Sequence, residues 1–63
     1  MIDVNKSYKD IDTGRIYKGS LLIGATKDFF MLNRNKYPND YAKRNDFEFV
    51  SNFIEETYHL VEI

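Results

Sequence analysis

The stretch DFEFVSNFIEETYHLV, residues 46 to 61, folds on paper in two ways, and the choice decides the architecture of the chain. Read with a period of two, Phe47 and Phe49 share one face and the acids Asp46, Glu48 the other, the pattern of a half-buried strand. The following NFIEE is then a single 3-10 turn. In YHLVEI, Tyr58 and Leu60 alternate against His59, Val61 and Ile63 as a closing strand. Read with a period of 3.6, Phe47, Val50, Ile54, Tyr58 and Val61 line one side of a helix that Asp46 would cap. The first reading predicts an all-β fold, and the alternative is α+β with a C-terminal helix over 46–61.

Upstream, NRNKYPNDYAKRN (33–45) carries four Asn and the only Pro, which predicts an exposed loop. Before it, FFML is a short apolar run, separated from SLLIGA by the polar break TKD, and a tight hairpin is expected there. RIYKGSLLIGA reads as a strand whose two glycines mark bends or bulges. Ile2, Val4 and Tyr8 alternate with polar residues as a first strand. Between these strands lies KDIDTG, where Asp bonds its own backbone and Gly14 supplies a positive φ, the chemistry of a turn.

A chain of 63 residues allows a single domain, 1–63, near the lower size limit for one hydrophobic core. With no cysteine, disulfides and thiol chemistry are excluded, and a cytoplasmic setting is expected. Five Phe and five Tyr supply large buried areas that can replace staples in a small core. The first ten residues lack an apolar run and no segment reaches membrane-spanning length, so neither a signal peptide nor a membrane association is expected. Without a secretion signal, Asn5-Lys6-Ser7 is a chance match to the glycosylation triplet. The net charge is -1, yet residues 1 to 45 sum to +4 and residues 46 to 63, which hold only acids, to -5.

Five short strands, a turn-rich first loop and a 3-10 turn before the last strand follow the order of small barrels. Over TGRIYKG, TKDFFML and FEFVSNFIEETYHLVEI the chain resembles the SH3-like small β-barrel, as found among bacteriophage or mobile-element accessory proteins. That resemblance implies a five-stranded barrel and an accessory protein docking on a host or virion protein. Tyr8 is followed by KDIDTG in place of a second tyrosine and an acidic loop, so polyproline binding is not implied.

Candidate chemistry thins out on inspection. Asp12-Thr13-Gly14 matches the aspartic-protease triplet, but the charged approach YKDI and the departing Arg15 are those of a surface turn. Asp10, Asp12 and Gly14 imitate the start of a calcium loop until Arg15 takes its central glycine position and Leu21 its twelfth. GRIYKGS has the glycines of a phosphate loop without its Lys. His59 stands alone in sequence, with no cysteine or second histidine to build a metal site or a nucleophile pair. No enzyme activity, cofactor or metal is expected.

Binding remains. Arg34, Lys36, Tyr37, Tyr41, Lys43 and Arg44 gather basic and aromatic groups in the loop 33–45 against one acid, Asp40. Tyr and Arg are favoured interface anchors, so a protein partner is expected, with self-association through an exposed strand edge as one form. The alternative is a nucleic-acid-binding barrel in which these residues grip phosphate and stack bases. An isoelectric point near 5.7 makes nucleic acid the weaker expectation.

Overall fold

The computed structural model describes residues 1–63. Two short strands, β1 (Ser7–Asp10) and β2 (Ile16–Lys18), form a hairpin. Three helices follow, α1 (Gly19–Leu32), α2 (Pro38–Ala42) and α3 (Phe47–Thr57). A last strand, β3 (Leu60–Glu62), returns to pair with β1. The sheet is open and antiparallel, in the order β2-β1-β3. Tyr8 stands opposite Tyr17 on one side and Glu62 on the other.

The expected five-stranded barrel is therefore corrected to an α+β domain, close to the alternative reading of residues 46 to 61. Asp46 caps α3, its Oδ1 accepting from the Phe49 N–H at 3.2 Å. Phe47, Val50 and Ile54 then recur at helical spacing, and Val50 and Ile54 are fully buried. The strand DFEFV and the 3-10 turn both dissolve into this helix, which ends at Thr57. Only the closing strand survives from that reading.

The larger correction lies in residues 19 to 32, where a hairpin was expected and one continuous helix stands. Leu22, Ile23, Thr26 and Phe30 are its buried residues beyond Gly19, a helical stripe that Thr26 completes. Its hydroxyl donates to the Leu22 carbonyl oxygen at 2.7 Å, so this polar side chain is buried at no cost in lost hydrogen bonds. No side chain caps the start of α1. The N–H groups of Gly19 and Ser20 donate instead to the carbonyls of Lys6 and Val4, at 2.8 and 3.2 Å. Residues 2 to 6, expected as strand, are the irregular segment that provides this cap. They approach so closely that a Cβ on Gly19 would lie 2.0 Å from the Asp3 carbonyl oxygen. The glycines at 19 and 24 thus belong to a helix, not to bulges.

The hairpin turn is as expected. Asp10 accepts from the Asp12 N–H through Oδ1, Gly14 donates to the Asp10 carbonyl at 2.7 Å, and Gly14 has φ 77°. The core sits between the sheet and the pair α1/α3, where Ile2, Tyr8, Leu22, Ile23, Phe30, Val50 and Ile54 are buried. Phe30 packs edge-on against Phe53 at 4.9 Å between centroids. Ile2 is held at the edge of this core by its N–H, which donates to the buried Ser51 hydroxyl.

Candidate functional site

An open groove with a volume of about 390 Å³ runs along the junction of α1 and α3. Leu21, Leu22, Ala25, Thr26 and Phe29 form its α1 wall, and Phe53 and Thr57 its α3 wall. Tyr17 of β2 and Tyr58, just past α3, close one end. Seven of these nine residues are hydrophobic. The two threonine protons are engaged within the helices, Thr26 donating to the Leu22 carbonyl and Thr57 to the Phe53 carbonyl at 2.6 Å. What the groove offers is aromatic and aliphatic surface, suited to burying apolar groups.

The helical period builds this surface. Leu21, Ala25, Phe29 and Leu32 follow one another at intervals of four, four and three, on the flank of α1 beside its core stripe. Leu21 is 58% exposed, Phe29 44% and Leu32 82%, so the flank is uncovered and, apart from the exposed Asp28 that the same period places at its edge, apolar. The Phe29 ring lies 6.4 Å from Phe53 and 6.2 Å from Tyr37, which carries the apolar surface onto the segment after α1. That stripe was written in the sequence, but reading 19–32 as a hairpin scattered it over two strands.

The six residues singled out in the loop 33–45 are not brought to one site. The loop itself contains α2, opened by Pro38 in the first helical turn, where its missing N–H costs nothing. Lys36 lies 5.4 Å over the Tyr37 ring, and this pair borders the far end of the groove. Arg44 stacks 4.1 Å over Tyr41 and donates to the Tyr41 carbonyl, closing on itself. Lys43 turns to the Phe49 ring at 5.1 Å. Arg34 donates to the Met31 carbonyl at the end of α1. Each basic group except Arg34 thus lies over an aromatic of its own chain, which leaves those rings less open to stacking with a ligand.

His59 has a neighbour that sequence reasoning missed. Its Nδ1 lies 2.7 Å from Asp12 Oδ2, joining the hairpin turn to the start of β3 across 47 residues. Both side chains are well over half exposed, and no group of three or more potential metal-ligating side chains forms anywhere. Chemically this is an exposed side-chain hydrogen bond that ties the hairpin turn to the start of β3, worth little in stability. No helix is long and apolar enough to cross a membrane.

Compared with protein-family models, with curated proteins and with solved structures, the chain finds no match.

Proposed function

We propose that this chain is a non-enzymatic protein-binding module whose docking surface is the α1/α3 groove, extended at one end by Tyr37. The observation that carries this reading is the groove's lining, in which seven of nine residues are hydrophobic and the two threonine hydroxyls turn back onto helix carbonyls. Such a surface gains by excluding water and has little to offer a polar substrate or a phosphate. Contiguous apolar patches on small domains mark interaction sites, whereas singly scattered exposed side chains do not. Tyr17, Phe29, Tyr37 and Tyr58 also supply the rigid aromatic area favoured at interface centres. Nucleic-acid binding has less support, since Lys36, Lys43 and Arg44 lie over their own aromatics and the chain carries a net charge of -1.

A photo-reactive phenylalanine analogue placed at position 21, in cells that express the chain, tests the reading directly. Position 13, exposed in the hairpin turn and outside the groove lining, serves as the control. Protein adducts should form from position 21 and not from 13. Adducts to nucleic acid, or none from position 21, would remove the proposal.

A further inference from the structure

We infer that the occupant of the groove is the same groove of a second copy of this chain, related by a two-fold axis passing near Ala25. This deepens the docking reading above and rests on it. With Asp28 left at its edge, the apolar part of the exposed flank of α1 is complementary to itself when reversed. Leu21 stands four residues before Ala25 and Phe29 four residues after it, so an antiparallel crossing at Ala25 sets Leu21 of each copy against Phe29 of the other. The smallest residue of the stripe then falls on the axis, where two helices come closest. Leu32, at 82% the most exposed large hydrophobic side chain of the chain, reaches past the second copy's Leu21 toward its Tyr17 and Tyr58.

The charges favour the same reversal. Arg34 and Lys36 follow α1 at the Tyr37 end of the groove, and Glu56 lies in the last turn of α3 near the Tyr58 end. All three are exposed, and none takes part in an ion pair within the chain. Lys18, next in sequence to Tyr17 at that end, alternates with it and so belongs to the opposite face of the sheet. A two-fold axis lays the basic end of one groove on the acidic end of the other, and does so twice. An isologous pair of this kind closes on itself and stops at two copies.

A stable interface takes about 800 Å² from each partner, so the groove and its rim must supply nearly a fifth of the 4482 Å² that this chain exposes. Thirteen large hydrophobic side chains are exposed against seven that are buried, and five of the thirteen, Leu21, Phe29, Leu32, Tyr37 and Tyr58, surround the groove. The sheet edges compete poorly for the same role, because β2 and β3 each present only three residues.

Analytical ultracentrifugation of the full chain, from about 1 to 500 µM in buffer alone, tests this. The weight-average mass should rise toward twice 7.5 kDa. Leu21→Glu and Leu32→Glu, at exposed positions, should keep the parent's circular dichroism and remain monomeric throughout. Lys36→Glu and Glu56→Lys should each raise the dissociation constant at least about fivefold, since each change repels at two places. The doubly changed chain should return to within about twofold of the parent. A parent that stays monomeric overturns the inference, as does a dimer indifferent to Leu21→Glu or a double charge reversal without rescue. If the parent is monomeric while position 21 still forms adducts with another protein in cells, the second copy is excluded and the docking reading stands. Monomer together with no adducts removes both.

Discussion

The two glycines of α1 should respond to the same substitution with opposite signs. Gly24 is an interior helical residue, and a Cβ there meets nothing within 4 Å. Gly24→Ala should therefore express the propensity difference alone, a gain of about 0.8–1 kcal/mol. For a domain of this size that raises the melting temperature by about 4–8 °C. At Gly19 the added Cβ would lie 2.0 Å from the Asp3 carbonyl oxygen, 2.8 Å from its carbon and 3.0 Å from Val4 Cα, all backbone atoms. No side-chain rotation relieves such a contact, so the segment 2–6 must move away. Its departure breaks the bonds from Gly19 and Ser20 to Lys6 and Val4, each worth about 1 kcal/mol net. It also lifts Ile2, 3% exposed, out of the core, at about 1.5–3 kcal/mol. The expected loss is about 3–5 kcal/mol, a large part of the roughly 3–9 kcal/mol typical for a chain this short. Thermal melts at 222 nm with matched urea titrations measure both variants. Gly19→Ala melting within 2–3 °C of the parent (about 0.5 kcal/mol,), or Gly24→Ala melting lower, would refute the packing of the N-terminal segment on α1 or the helical assignment itself.

Asp46→Ala should cost about 1 kcal/mol by removing the acceptor for the Phe49 N–H; an unchanged urea midpoint would show that water caps α3 equally well. Ser51→Ala leaves the buried Ile2 N–H without its acceptor, so about 1–3 kcal/mol should be lost and exchange at that amide should quicken. Lys6, exposed and paired with Glu62 at 3.0 Å, has its pKa raised above the ordinary 10.5 by the hydrogen bond and the charge of that carboxylate. The pair's small contribution is complete below pH 10.5 and fades as pH climbs through the raised value. The difference in melting temperature between the parent and Lys6→Met should accordingly shrink as pH rises past 10.5; a difference that grows would reverse the assigned sign.

The turn at residues 10 to 14, the closing strand and both features of α3, its Asp46 cap and its apolar period, were legible in the residues because each is local. Asp and Gly make that turn by bonding their own backbone and by accepting a positive φ, whatever the rest of the chain does. For residues 46 to 61 two periods were present at once, and the sequence alone could not choose between them. Tertiary packing chose: only the helix sends Val50 and Ile54 together into the space beneath Phe30, with Ser51 turned toward Ile2. In α1 the local signals pointed the wrong way. Its start has no capping side chain, because carbonyls 13 and 16 residues earlier take that role. Its middle shows a polar Thr26 that reads as a break until the hydroxyl's bond to Leu22 is seen. The groove follows from the same fact. Leu21, Ala25 and Phe29 become a surface only when a helix aligns them and α3, more than twenty residues on, supplies Phe53 and Thr57 as the facing wall. Composition and local chemistry thus determined a small cysteine-free domain with its turn and its last strand. Long-range hydrogen bonds and ring packing decided that its centre is helical.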